Sequence, residues 1–266
     1  MPPLSHLPGT RPRRWLVTGR NGTVGPSLAR TAERRGVEVV GWRRDAVPPD
    51  DPAAGEAWLR GQSFDGVAHL AMGSVDWAAR LARHAAERGL PFVFTSTAMV
   101  FHHEPDGPHA PDDERNARDD YGRYKRACED AVRAAHPGAC VARLGWQIDP
   151  AQPGNNMLIA LDRWQAEQGC VAASHRWRPA CSFLDDTAEA LATLLEAPVT
   201  GVVHLDSNAT EGRTFLEVVR ALRQTFRRDG WVIRPHADYV HDQRLLGGDA
   251  RVPALSERLP ALRAAP

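Results

Sequence analysis

Lysine is nearly missing from this chain of 266 residues: Lys125 stands alone among basic residues that are otherwise all arginine. Where a bare positive charge suffices, arginine has been used. A site that needs a compact ammonium on a flexible stem does not accept a forked guanidinium, so the single lysine is a candidate functional residue. Tyrosine is almost as scarce, with only Tyr121, Tyr124 and Tyr239. The four cysteines, Cys128, Cys140, Cys170 and Cys181, form no CxxC pair, which excludes a zinc knuckle or a redox dithiol. Net charge is lacking too, since 33 basic side chains face 33 acidic ones. With no basic stripe, nucleic acid is not an expected partner. No apolar run approaches the length of a membrane span, and the start lacks the apolar stretch of a signal peptide. The expectation is a cytoplasmic protein with a small-molecule substrate and no membrane. Residues 1–13, rich in proline and arginine, read as a flexible arm.

What is present is a regular alternation of strand and helix. WLVT at 15–18 is a short apolar strand, GRNGTVG at 19–25 a turn, and 26–35 a helix with Pro26 in its first turn and Gly36 as its stop. Strands follow at 37–42, 66–71, 90–96, 140–146 and 201–206, with helices near 75–88, 119–135, 155–168, 183–196 and from Phe215. Thr214 with Glu217 forms a capping box, and Asp185 or Asp186 caps the 183–196 helix. DDPAAGE at 50–56 reads as a linker, 56–61 as a weak helix, 170–184 as a short strand pair, and the tail after Arg234 as irregular. The pattern predicts an α/β fold: a Rossmann-type doubly wound parallel sheet with a small C-terminal substrate lobe. The division expected is a dinucleotide-binding core over 14–150 and a mixed region over 151–266 that completes the core and forms the lobe.

Gly19, Gly22 and Gly25 give GxxGxxG between a strand and a helix. The first glycine lets the chain turn, the second lets a diphosphate reach the backbone, and the third lets helix and strand pack closely. Free N–H groups at the helix start, around Arg20, Asn21, Thr23 and Val24, then hold phosphate charge. No GK[ST] follows, which speaks against a P-loop. Where an acidic residue would bind the ribose hydroxyls of NAD, at the end of the second strand, the chain carries Arg43 and Arg44. Two guanidiniums suit a 2′-phosphate, so NADP(H) is expected over NAD(H), with Asp45 behind them as the residue that would serve NAD.

Tyr121 and Lys125 lie four apart on one predicted helix, and Cys128 and Val132 continue their face toward protein. An ammonium near a phenol lowers its pKa and lets it exchange a proton with a substrate oxygen near neutral pH. Tyr124 is the rival tyrosine, adjacent to the lysine and facing elsewhere. The hydroxyls of TST at 95–97 end a strand at the mouth of the sheet, where they can steady the substrate oxygen. The loop at 102–119 carries His102, His103 and His109, which have no metal-ligand spacing and are read as solvated, so no metal is expected.

With these segments in view, the chain resembles the extended short-chain dehydrogenase/reductases, closest to the dTDP-4-dehydrorhamnose reductase type and the related NAD-dependent epimerases and dehydratases. The resemblance rests on VTGRNGTVG at 17–25, HLA at 69–71, TSTAMVF at 95–101, YGRYK at 121–125, RLGW at 143–146, NNMLIALDRWQAEQG at 155–169 and FLDDTAEAL at 183–191. It implies Tyr121 as proton donor in a reduction, Lys125 lowering its pKa and holding the nicotinamide ribose, and Thr97 completing the triad, with Ser96 as its nearest rival. It implies Leu70 and Ala71 beside the cofactor, and Ser96, Arg143, Asn156 and Arg178 facing substrate. The activity implied is an NADP(H)-dependent reduction of a carbonyl, such as that of a nucleotide-linked 4-keto-sugar. The alternatives are an NAD-dependent epimerase or dehydratase, and a non-catalytic dinucleotide-binding regulatory subunit. A homodimer is compatible with the resemblance. The chain departs from the type at Ala98 and Met99, where an acidic and an aromatic residue are usual, and at Tyr124, where a small residue is usual. The missing carboxylate argues against a dehydratase.

Overall fold

The computed structural model describes residues 13–104, 106–151, 154–247 and 251–263, so the expected arm over 1–13 lies, apart from Arg13, outside the described residues. Six parallel strands form the central sheet: β1 (Arg14–Thr18), β2 (Glu38–Gly41), β3 (Gly66–His69), β4 (Phe92–Thr97), β5 (Cys140–Leu144) and, from the second half of the chain, a strand at Gly201–Leu205. Their order is β2-β1-β3-β4-β5 and then Gly201–Leu205. Strands β3 and β5 are buried along their whole length, as parallel strands covered on both faces must be.

Side-chain alternation sends successive residues to opposite cores. Trp15 of β1 packs with Leu28 of α1 (Gly25–Arg34) and with Leu191 and Leu194 of the helix at Leu184–Glu196. Leu16, next to it, packs on the other side with Leu59 of α2 (Pro52–Gly61), Trp77 of α3 (Val75–Glu87) and Val132 of α4 (Asp120–Ala135). The strand order reverses between β1 and β3, and such a reversal opens a crevice beyond the carboxyl ends of the strands.

The remaining elements are β6 (Trp146–Ile148), α5 (Met157–Gln168), β7 (Val171–Ser174), β8 (Trp177–Arg178), β9 (Cys181–Phe183), α6 (Leu184–Glu196), β10 (Gly201–Leu205), α7 (Phe215–Thr225), β11 (Ile233–His236), β12 (His241–Asp242) and α8 (Leu255–Arg258). A third apolar cluster, with Met157, Phe215, Leu222 and Trp231, holds the lobe together. The capping box at Thr214 and Glu217 is present with both of its bonds. Three local expectations need correction. The strands within 170–184 do not pair with one another: β7 pairs with β11, β8 with β12 and β9 with β6, so the chain from Ile233 onward supplies two of the partners. The helix expected over 56–61 begins earlier, at Pro52 inside the expected linker, because Asp51 caps Ala54 N at 2.9 Å and Pro52 fits the first turn. The cap of α6 is Phe183, while Asp185 and Asp186 sit in its first turn, where carboxylates face the positive end of the helix.

Arg143 of β5 is 1 % exposed and makes a forked pair with Glu129 of α4, Nε to Oε1 at 3.0 Å and Nη2 to Oε2 at 2.9 Å. Its Nη1 donates to the Pro111 carbonyl at 3.0 Å, and its guanidinium lies 5.0 Å from the Phe101 ring centre. Arg143 is thus a structural ion that ties the sheet to α4 and to the 102–119 segment, not a substrate ligand as expected. Removing one partner strands a buried charge. Glu129→Ala is therefore expected to destabilise the protein by about 3–5 kcal/mol, read as a fall in Tm of roughly 10 °C. A fall under about 2 °C would show the pair to be dispensable. Among the described residues no helix is long and apolar enough to cross a membrane.

Candidate active site

The crevice beyond β1, β3 and β4 is a cleft of about 1520 Å³, larger than the usual 300–1,000 Å³ of a small-molecule site and long enough for a dinucleotide with a second ligand. Its floor at one end is the glycine turn. Gly19 has φ +73°, and a Cβ there would lie 2.8 Å from Ala71 N. A Cβ on Gly25 would lie 2.2 Å from the Gly19 carbonyl oxygen. The turn closes through Gly22 N donating to Gly19 O at 2.9 Å. These are the close approaches that the glycine spacing implies, and they leave a side-chain-free cradle at the N-terminus of α1, suited to a diphosphate.

The segment that follows β3 lies against this turn and is held by side chains from neighbouring elements. The Thr18 hydroxyl accepts from Leu70 N at 3.1 Å and from Ala71 N at 3.2 Å, so its own hydrogen goes to His69 Nδ1 at 2.7 Å. Burial pushes the His69 imidazole down to about 3, which keeps the ring neutral. At the rim, Arg43 is paired with Asp45 at 2.6 Å, both exposed. Arg44 donates to the Met72 carbonyl and lies 5.8 Å from the Trp42 ring centre.

The other end of the cleft carries the reactive groups. Lys125 is 3 % exposed, and its ammonium donates to the Thr95 carbonyl at 2.9 Å and sits 4.8 Å from the Phe94 ring centre. Burial pushes its pKa down to about 8. Tyr121, one helical turn before it, is 40 % exposed and lines the cleft. Its phenol is raised above the ordinary range by loss of water, with the Thr97 hydroxyl pulling it down and Asp119 adding a smaller upward push. The lysine was expected to lower this pKa. Instead its ammonium is turned to the backbone of β4, and the hydroxyl that opposes the shift is Thr97.

Most of the expected residues converge here. Gly19, Arg20, Asn21, Gly22, Thr23, Val24, Arg43, Arg44, Leu70, Ala71, Ser96, Thr97, Tyr121 and Lys125 all line the cleft, and Gly25 underlies the turn. Arg143, Asn156 and Arg178 do not line it. Asn156 is buried as the cap of α5, its side chain accepting from Ile159 N, and the cleft is reached by Asn155 instead. Arg178 donates to the Gly212 carbonyl at 3.1 Å. Sequence reasoning missed Trp146, Gln147, Trp177 and Gln243, which wall the end beside Tyr121 with uncharged side chains. Trp146 alone carried a local signal, because it closes the RLGW block at 143–146 just beyond the end of β5. Ala98 and Met99 also line the cleft, and Asp45 at the far rim is the one carboxylate among the described lining residues. Of the loop histidines, His109 is buried and stacked on Phe101 at 4.3 Å rather than solvated. His102 and His103, with Glu104, bring their ligand atoms within 4.8 Å of one another.

Comparison with known proteins shows the family to which this fold belongs. The family model described as the RmlD substrate binding domain matches residues 74–242. A dTDP-4-dehydrorhamnose reductase of Mycobacterium tuberculosis is 29 % identical over 224 residues, 76 % of this chain and 73 % of that protein. Among solved structures, the dTDP-4-dehydrorhamnose reductase of Bacillus anthracis in complex with NADP superposes with a TM-score of 0.78 at 15 % identity, covering 94 % of this chain and 98 % of that one. The Bordetella bronchiseptica enzyme WbmG in complex with NAD gives 0.70 at 20 % identity, covering 90 % and 87 %. The chain belongs to the dTDP-4-dehydrorhamnose reductase-like branch of the extended short-chain dehydrogenase/reductases, and it is an oxidoreductase that works with a nicotinamide dinucleotide.

Proposed function

We propose that the protein uses NADPH to reduce the keto group of a nucleotide-linked 4-keto-sugar. One observation carries this reading: Thr97, Tyr121 and Lys125 meet in the cleft whose other end is the glycine cradle. The residues fit the cofactor on the same ground, since Gly19 and Gly25 leave the backbone bare where a diphosphate would rest. A bound nicotinamide supplies the hydride. Tyr121 donates the proton to the carbonyl oxygen, Thr97 holds that oxygen by a hydrogen bond, and Lys125 holds the nicotinamide ribose. The 14–150 unit then binds the dinucleotide and 151–266 closes the substrate end. Reduction of dTDP-4-dehydrorhamnose, followed by loss of NADPH absorbance, tests the assignment. No turnover of this ketone would refute it.

The preference for NADPH rests on Arg20 and Arg43, both in the cleft lining at the rim where a 2′-phosphate would come. Arg43→Ala is expected to weaken NADPH binding about tenfold, while NADH binding stays within about twofold. Equal effects on the two cofactors would contradict the preference. A dehydratase reading is disfavoured because no carboxylate lines the cleft beside Tyr121 among the described residues.

A further inference from the structure

Tyr124 occupies a place where the family usually has a small side chain, and the structure gives it a specific partner. Its hydroxyl accepts from Gly73 N at 3.0 Å. Its ring packs into the core between the sheet and helices α3 and α4, and it does not line the cleft. Burial raises its phenol well above the ordinary range, so it stays a neutral hydroxyl and takes no part in proton transfer.

Gly73 ends the short segment 70–73 that leaves β3 and forms the cleft wall beside the glycine turn, with Leu70, Ala71 and Met72 in the lining. This segment has neither helical nor strand bonding of its own, and side chains from three other elements hold it. Thr18 of β1 accepts from Leu70 N and Ala71 N. Arg44, beyond β2, donates to the Met72 carbonyl. Tyr124 of α4 accepts from Gly73 N. The third tie comes from the residue beside Lys125, on the helix that also carries Tyr121.

We propose that Tyr124 is a positioning residue that fixes the 70–73 wall against the bound dinucleotide by accepting the Gly73 N–H, and so registers that wall to the helix bearing Tyr121 and Lys125. The physical reason is local. A wall of irregular backbone is only as well placed as the side chains that satisfy its polar groups. Losing one acceptor leaves Gly73 N–H without a partner in a half-buried place, and the segment then samples positions that bind the cofactor less well. The tie acts on cofactor binding and not on the proton donor, so it separates from the chemistry in kinetics.

The proposal rests on the dinucleotide reading of the cleft. Tyr124→Phe keeps the ring and removes only the oxygen. The expected result is a rise of about tenfold in the Kd for NADPH, measured by fluorescence, with faster hydrogen exchange at the Gly73 amide. The KM for NADPH should rise by a similar factor and kcat should fall by less than about threefold, a split that plain loss of folded protein does not produce. An unchanged Kd with unchanged Gly73 exchange overturns the proposal, and so does a fall in Tm with Kd unchanged. A second measurement needs no variant: in the unaltered protein, Gly73 exchange should be slow and should slow further when NADPH is added. Fast exchange there, or exchange indifferent to bound NADPH, also overturns it. If the unaltered protein binds neither NADPH nor NADH, the cofactor reading itself fails and takes the proposal with it. If it binds and Tyr124→Phe binds equally well, only the role of Tyr124 fails.

Discussion

Tyr121→Phe is expected to lower kcat by about two to four orders of magnitude, the usual worth of a positioned proton donor, and to leave the NADPH Kd within about twofold. The substitution removes a single oxygen from a half-exposed side chain, so neither the core nor α4 should suffer. The raised phenol pKa gives the pH dependence its shape. A donor must be protonated to act, and a phenol held above its ordinary value is protonated across the neutral range. Reduction should therefore show no acid or alkaline limb from Tyr121 below about pH 9. Steady-state rates for the two proteins across pH, with cofactor titrations beside them, check both statements. A Tyr121→Phe variant that keeps most of its kcat would remove the residue from the mechanism.

Lys125→Met should have an effect of similar size on kcat/KM, about a hundredfold or more, and an opposite effect on stability. The folded-state pKa of about 8 lies below the ordinary 10.5 because burial opposes the charge. Above about pH 8 the folded protein loses the ammonium, so activity should decline there in the unaltered enzyme. The residual activity of Lys125→Met should show no such limb. The linkage has a definite sign. Between about pH 8 and 10.5 the unfolded chain binds the proton that the folded chain has released, so the contribution of Lys125 to stability rises with pH in that window. Below it, the buried charge is a constant cost. Replacing it with a neutral side chain of similar length should stabilise the protein at neutral pH by on the order of 1–3 kcal/mol, offset in part by the lost bond to the Thr95 carbonyl. A less active and less stable variant would mean that the ammonium is well solvated or well paired in the fold.

The parts of the site legible in the sequence are those set by local chemistry. The glycine turn could be read because only a bare backbone allows the approach of Gly19 to Ala71 and of Gly25 to Gly19. Tyr121 and Lys125 could be read because a helix places residues four apart on one face. The central sheet followed from the alternation of apolar strands with helices. What escaped was set by contacts distant in the chain. Arg143 looked like a substrate ligand, because nothing local shows that Glu129 meets it with a forked pair inside the protein. Asn156 looked like a site residue and is a helix cap, while Asn155 next to it faces the cleft. Trp177 and Gln243 reach the cleft through the pairing of β8 with β12, two strands of two residues each, too short to show any periodicity. The lysine pKa effect on the phenol failed for a similar reason: helical spacing fixes which face a side chain leaves from, not whether its tip turns to a neighbour or to the backbone of β4.

The central claim is geometric: a carbonyl reduced by this protein lies between the Tyr121 phenol and the Thr97 hydroxyl. A crystal structure with NADP and the reduced sugar nucleotide tests it most directly. The account predicts the new hydroxyl oxygen within about 2.6–3.2 Å of Tyr121 Oη. A product oxygen out of reach of Tyr121, with the sugar seated elsewhere in the cleft, would contradict it.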